Sequence, residues 1–275
     1  MPRPAWSIGR ETLDTLLLEA ARGAGTTIMQ PAAVEGVTYD DAGVRVRVRG
    51  VGEIDAGIVV HADGSGRHDP AGPVPVRRGV VALKCHVMPP RPVDGLHMRC
   101  ARGGYIGLAP VGDGLATCAL VASARLAAAY RGDTDAMVRS MWTAFDPAWR
   151  TTPWLACGVP GSAYIAPGHV RSFRIGNAAA GVEPVGGEGI GLALWSGDAL
   201  TRLLGTGMPL ALVQRRLAAM YRRRLRIRRP ACRLAAAVLS RPAVVRALWP
   251  TLAAPGLLLR PWYALTGKPL SAAAS

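Results

Sequence analysis

A glycine-rich stretch has the residue types that bind a polar ligand through backbone groups. Residues 174–197, RIGNAAAGVEPVGGEGIGLALWSG, hold seven glycines and three charged side chains in a chain of 275 residues. Gly176 and Asn177 follow an apolar segment, and Gly187 and Gly189 precede a helical one. Backbone N–H groups at a helix start can face an anionic ligand, and an Asn side chain at a strand end can bond a sugar hydroxyl. The alternative is a connection whose glycines let a strand and a helix pack closely.

A second candidate lies in IVVHADGSGR, residues 58–67, where an apolar strand runs into a turn. Ligands of α/β proteins collect where strands end, so Asp63 and Gly64 are candidate ligand-binding residues, with Arg67 close to them in sequence. ADG is also a common turn at the end of a strand, because Asp and Gly both favour turn conformations. From the residues alone, both interpretations remain open.

The elements that position these stretches follow from the hydrophobic pattern. Residues 11–25 have apolar side chains at helical spacing, and residues 44–49 alternate Val with Arg as in a half-buried hairpin arm. Residues 77–122 contain several short strands separated by turns, which is typical of an antiparallel sheet, and the chain after Gly191 is helical. The order predicts an α/β (α+β) fold in which one layer is built from an early and a late segment.

The two ligand-binding stretches resemble motifs of one enzyme superfamily. GNAAAGVEPVGGEGIG is similar to the second FAD fingerprint of the aromatic-hydroxylase and geranylgeranyl-reductase superfamily, and ADG is similar to its DG motif. The usual fingerprint has an acidic residue after the first glycine, and Asn177 takes that position here. The resemblance implies that this position faces the ribityl or ribose region of FAD, that Asp63 and Gly64 lie near the pyrophosphate, and that the glycine loop runs along the flavin ring.

Further residues are assigned by the same resemblance. SIGRETLD is similar to a helix of the superfamily whose arginine turns toward FAD, which implies this role for Arg10, whereas the residues alone indicate an exposed arginine at a helix start. GGYIGLAPV takes the place of a segment that lines flavin and substrate, which makes Tyr105 the substrate-side candidate. His86 on a neighbouring strand is a second one, and for both a place in the core or on the surface is the alternative. The cofactor-binding candidates are Arg10, Asp63, Gly64, Gly176, Asn177, Pro184, Gly187, Gly189 and Ile190.

The resemblance implies a FAD-dependent reductase or monooxygenase for a large apolar substrate, such as a prenyl or polyketide-derived molecule, with NAD(P)H as candidate electron donor. The superfamily's N-terminal βαβ unit carries GxGxxG, and this motif occurs nowhere in the 275 residues. The sequence therefore predicts an incomplete FAD-binding layer, and a truncated, non-enzymatic remnant is the alternative. The segments expected are 1–75 and 165–204 for the FAD layer, 76–164 for an inserted substrate sheet with helices, and 205–275 for a basic helical tail.

The charge is concentrated at the C-terminal end. Residues 199–275 contain 13 Arg and one Lys without Asp or Glu, whereas residues 1–198 contain 19 basic and 18 acidic residues. Because apolar residues recur between the arginines, an anionic membrane surface is the candidate partner of residues 206–260, and nucleic acid is disfavoured. The alternative is a helical cap on the body of the protein. Five cysteines without CxxC, and five histidines without metal-binding spacing, predict reduced thiols, a cytoplasmic location and no metal site.

Overall fold

The computed structural model describes residues 7–64, 66–161 and 163–253, the last three without their side chains. The strands among these residues are β1 (Val34–Tyr39), β2 (Val44–Val48), β3 (Gly52–Ala56), β4 (Val59–His61), β5 (Val80–Val87), β6 (His97–Ala101), β7 (Gly104–Gly112), β8 (Leu115–Ser123), β9 (Leu155–Cys157) and β10 (Ser172–Arg174). The α-helices are α1 (Arg10–Gly23), α2 (Ala124–Ala129), α3 (Thr134–Met141), α4 (Glu188–Leu204), α5 (Leu210–Leu239) and α6 (Pro242–Ala253).

The chain divides into two compact units that each combine distant parts of the sequence. Of the described residues, the first unit contains 7–27, Arg78–Val159 and 231–253, and the second contains Ile28–Arg77 and Pro160–Pro230. This division differs from the four predicted segments, because residues 7–27 belong to the unit of the inserted sheet rather than to the predicted FAD layer. The packing of Ser7 and Gly9 on β7 explains this grouping. The Ser7 hydroxyl donates to the carbonyl of Pro110 in β7, and Gly9 lies against the adjacent Val111 carbonyl.

The first unit is built on an antiparallel sheet with the strand order β6-β7-β8-β5-β9. One face of this sheet packs on α3 and carries the core, which includes Ile106, Cys118, Leu120 and Val138. The predicted antiparallel sheet is therefore confirmed. In β5, β7 and β8, every second side chain faces this core.

The second unit contains a three-stranded antiparallel sheet, β1-β2-β3, and a parallel pair, β4 and β10. Val44 and Val48 of β2 are buried while Arg45 and Arg47 between them are exposed, as the alternating pattern predicts. The core of this unit lies between β10 and the helices α4 and α5. It contains Phe173, Leu192, Leu200, Val213, Leu217 and Tyr221.

The basic tail forms the predicted helices as far as the structure describes it. α5 and α6 occupy most of residues 206–253, and residues 254–275, including the end of the predicted membrane-facing segment, lie outside the described residues. Over residues 7–253, none of the helices combines the length and hydropathy that a membrane crossing requires.

Candidate functional site

The two predicted ligand-binding stretches meet at the ends of neighbouring strands in the second unit. β4 and β10 pair in parallel, with His61 opposite Arg174, so the chain leaves both strands at the same edge. A Cβ placed on Gly64 would lie 3.9 Å from Asn177 Cβ. Gly64 has a φ of +74°, which a larger residue rarely adopts. The structure therefore brings the two predicted stretches together, and their role in binding a ligand stays a prediction.

Gly176 holds the second stretch against α4. Its N–H donates to the Ser196 hydroxyl over 2.9 Å. A Cβ at Gly176 would approach Ala193 Cβ to 3.2 Å, and its φ of +55° also favours glycine. The end of the strand thus packs closely on the helix, which is the structural role that the alternative to ligand binding gave to these glycines. It also fixes Asn177, whose side chain remains exposed.

The glycine loop opens α4 with uncovered backbone. A 3-10 turn at Pro184–Gly186 leads to Gly187, whose φ of +63° starts the helix at Glu188. Apart from the adjacent residues and the backbone of the helix itself, no atom of the described residues lies within 4 Å of a Cβ built on Gly187, Gly189 or Gly191. Because no side chain of the described residues covers these positions, a flat ligand can approach the backbone there. Ile190 of the same turn is 39% exposed.

A buried ion pair lies beneath this edge. The guanidinium of Arg174 is fully buried, and its Nη2 lies 2.8 Å from Asp69 Oδ1. The same group donates to the carbonyls of Gly66 and Gly72 in the loop after β4 and, at 3.5 Å, to the carbonyl of Ala178. One side chain of β10 therefore organises both ligand-binding stretches. Gly66 must be glycine, since a Cβ there would lie 3.0 Å from Arg174 Nη1.

Asp69 is held on all sides. It accepts hydrogen bonds from the Ser172 hydroxyl, from the N–H of Ala71 at 2.8 Å and from the N–H of Gly168 at 3.0 Å. Burial raises the pKa of Asp69, but the hydrogen bonds from Ser172 and Arg174 outweigh it and leave the pKa below its ordinary value of 3.8. The carboxylate therefore stays ionised and remains paired with Arg174.

A histidine at the end of β4 joins this cluster. His61 Nε2 lies 3.6 Å from Asp69 Oδ2 and 3.1 Å from the Tyr39 hydroxyl. The Tyr39 ring packs at 4.7 Å on that of His169. Burial lowers the pKa of His61 below 6.5, the Asp69 charge opposes this shift, and Arg174 adds to it. The imidazole is thus favoured in its neutral form.

The central arginine is not among the residues predicted from the sequence. Arg67, the predicted basic neighbour of the ADG turn, is exposed, and the arginine that contacts the loop after this turn is Arg174. Asp63 accepts a 2.7 Å bond from Gly66 N–H, which is the turn-forming role given as its alternative. The sequence does contain a signal for Arg174, which is its position between Phe173 and Ile175 in an apolar strand. A charge at such a position needs a buried partner.

The other predicted site residues lie in the first unit. Arg10 begins α1 and pairs with Asp14 at 2.9 Å, with its side chain 62% exposed. Tyr105 and His86 lie on the face of the sheet opposite the core, about 13 Å apart along the strands. Tyr105 is buried, and His86 Nδ1 lies 3.2 Å from the Thr117 hydroxyl. Their roles toward a ligand stay predictions. No group of three or more metal-ligating side chains occurs in the part of the chain that the structure describes.

Comparison with known proteins shows the fold. No protein-family model and no curated protein sequence matches the chain. HpxO of Klebsiella pneumoniae, solved with FAD and uric acid, is 17% identical with a TM-score of 0.65 over 94% of this chain and 70% of its own. A geranylgeranyl bacteriochlorophyll reductase-like protein from Thermoplasma acidophilum is 18% identical with a TM-score of 0.63 over 93% and 75%. The flavin-dependent halogenase CmlS is 19% identical with a TM-score of 0.61 over 82% and only 44%.

The described structure therefore has the fold of flavin-dependent monooxygenases, halogenases and reductase-like proteins. The resemblance seen in the sequence motifs is confirmed at the level of the fold, as is the α/β class. The chain spans less than half of the halogenase and 70% to 75% of the other two proteins.

We expect Arg174→Met to lower the free energy of unfolding by about 3–5 kcal/mol, because it leaves the buried Asp69 carboxylate without its cation. Arg45→Met removes an exposed arginine that is paired with Asp55 at 3.0 Å and should cost much less, because solvent screens the exposed pair. Urea denaturation of both variants measures the difference. Equal costs would contradict the central role of Arg174.

The stability should also depend on His61. Because the folded imidazole has a pKa below 6.5, the unfolded chain takes up a proton first as the pH falls. The contribution of the neutral His61 imidazole to the free energy of unfolding is therefore present above pH 6.5 and is lost as the pH falls below that value. We expect the urea midpoint of the wild type to drop more between about pH 7.5 and about pH 5.5 than that of His61→Gln. Parallel pH profiles would show that His61 does not contribute.

Proposed function

We propose that the chain is a FAD-dependent oxidoreductase and that its second unit provides the strand-end part of the FAD site. The contact between Gly64 and Asn177 at the ends of two parallel strands carries this proposal. Ligands of α/β folds bind at such edges. The neighbouring helix start offers N–H groups that no side chain covers, as a flat, polar cofactor requires.

The residues present fit FAD. When bound, FAD supplies the redox chemistry that protein side chains lack. Asn177 would bond a sugar hydroxyl through its amide, and the backbone at Gly187 and Gly189 would lie along the ring. The positive end of the α4 dipole would favour electron density on the ligand near it. The Arg174–Asp69 pair would act only by holding the two loops in place.

The substrate proposed is a large apolar molecule, with NAD(P)H as electron donor. The sheet of the first unit offers a surface for it on the face opposite the core, where Lys84, Ala119 and Gly107 form a row between the rows of Tyr105 and His86. Ala119 is small and exposed and would leave room for part of an apolar substrate, whereas Gly107 is covered by Met98. The imidazole of His86, which lies beside Thr117, would orient a polar group of the substrate. Exclusion of water from this surface is the protein's main contribution to such chemistry.

A non-enzymatic protein of the same fold is the second candidate. The absence of GxGxxG from the 275 residues favours it, since that motif holds the ADP part of a dinucleotide. The two candidates differ in one measurable property, which is the binding of FAD.

The test is a fluorescence titration of the purified protein with FAD, using Gly189→Leu as the diagnostic variant. A leucine at Gly189 fits the helix and extends into the open space, so it should weaken FAD binding at least about tenfold, or about 1.4 kcal/mol. Gly23→Leu, at another open helix position, is the matched control and should bind like the wild type. Absence of FAD binding by the wild type would reject the proposal, and equal binding by both variants would reject this site.

Asn177→Asp should tighten FAD binding. A charge-assisted hydrogen bond to a sugar hydroxyl is worth roughly 1.5–3 kcal/mol, against about 1 kcal/mol for a neutral one. Asn177→Leu removes the hydrogen bond at similar volume and should weaken binding. Calorimetric titration of the three proteins gives the order of affinity. Unchanged or weaker binding by the Asp variant would show that this position does not face the cofactor.

A further inference from the structure

α5 presents two different faces in the second unit. One face is buried in the core through Val213, Leu217, Tyr221 and Leu225, which follow each other at a spacing of four. The opposite face is exposed to solvent and carries five of the twelve arginines in residues 205–275. We refer to the exposed residues of 212–227 as the basic face.

The basic face has an ordered arrangement. Its arginines form two rows at helical spacings of four and seven, and its apolar side chains form a third row beside them. The first row is Arg215, Arg222 and Arg226, and the second is Arg216 and Arg223. The apolar row is Met220 and Ile227, which are 36% and 41% exposed.

The arginines of α5 differ in their partners. Three of them are held within the fold: Arg224 stacks on Trp195, Arg228 pairs with Glu188 at 3.2 Å, and Arg229 donates to the Gly161 carbonyl. Within residues 7–253, none of the five arginines of the basic face forms a salt bridge with a carboxylate. Their charge is therefore available to an external anionic partner.

We propose that the basic face docks on the surface of an anionic lipid bilayer. The rows of arginine complement anionic headgroups, and the adjoining apolar row can enter the boundary between headgroups and acyl chains. Arginine suits this position because its apolar stem lies along the boundary while the guanidinium stays among the headgroups. A nucleic-acid backbone would complement the arginines but would leave Met220 and Ile227 in water. The proposal does not depend on the FAD site.

The charge requirement is tested by co-sedimentation of the full chain with vesicles of phosphatidylcholine and increasing phosphatidylserine. Binding should rise with the phosphatidylserine fraction and fall with salt. R215Q/R222Q/R226Q should weaken the partition coefficient about 100-fold, given the contribution of each surface arginine. R45Q/R47Q/R49Q removes the same charge from exposed, ion-paired positions in β2 and directly after it, and should change the partition coefficient less than about threefold. R215K/R222K/R226K keeps the charge and should bind like the wild type.

The contribution of the apolar row is tested with a second variant and its matched control. M220S/I227S should weaken binding about tenfold without changing its salt dependence, because it removes only inserted apolar surface. M29S/V51S changes two exposed apolar residues elsewhere in the second unit, which are 43% and 54% exposed, and should leave binding intact.

Three results would overturn the proposal. The first is vesicle binding that ignores both phosphatidylserine and salt. The second is an equal loss in the α5 and β2 triple variants, which would show that only net charge matters. The third is binding to a duplex DNA or RNA probe that depends on Arg215, Arg222 and Arg226 while the vesicles stay unbound.

Discussion

The second unit depends on a buried cation that a single strand supplies. Arg174 lies in a three-residue strand whose side chains are all buried, and its charge needs compensation. Asp69 provides the anion, and the carbonyls of Gly66, Gly72 and Ala178 accept hydrogen bonds from Nη1 and Nη2, whereas Nε has no hydrogen-bond partner among the described residues. The loops after β4 and β10 therefore take these conformations because they must satisfy the guanidinium. The open edge with Gly64 and Asn177 is a consequence of that constraint.

The helices of the same unit fix the strand from outside. Gln214 of α5 donates from Nε2 to the carbonyls of His169 and Ser172, both at 2.8 Å, and so holds the start of β10. Ser196 of α4 accepts the N–H of Gly176 at the other end of the strand. A parallel pair of three-residue strands has few hydrogen bonds of its own. These helix side chains supply what the short ladder lacks.

The sequence predicted the elements better than their assembly. Alternation of Val and Arg identified β2, and short segments separated by turns identified the sheet of the first unit. The motifs around Asp63 and Asn177 predicted that these two stretches lie together, because strand-end glycines have a local signature. The place of Arg174 in an apolar strand signals a buried partner, but the local sequence does not identify that partner, since Asp69 lies 105 residues away in the chain. The grouping of residues 7–27 with the inserted sheet also rests on tertiary contacts, such as that of Ser7 with Pro110, which local patterns do not encode.

The arginines of α5 have different roles on the two faces of the helix. Three of its arginines are held by Trp195, Glu188 and the Gly161 carbonyl, so a basic tail is partly a structural cap, as one interpretation of the sequence held. The five on the opposite face serve no such purpose. Because Gln214 ties the same helix to β10, a surface that bound the basic face would hold the helix on which the strand-end site rests. Cap and docking surface are therefore not competing explanations of the tail, since each describes a different face of one helix.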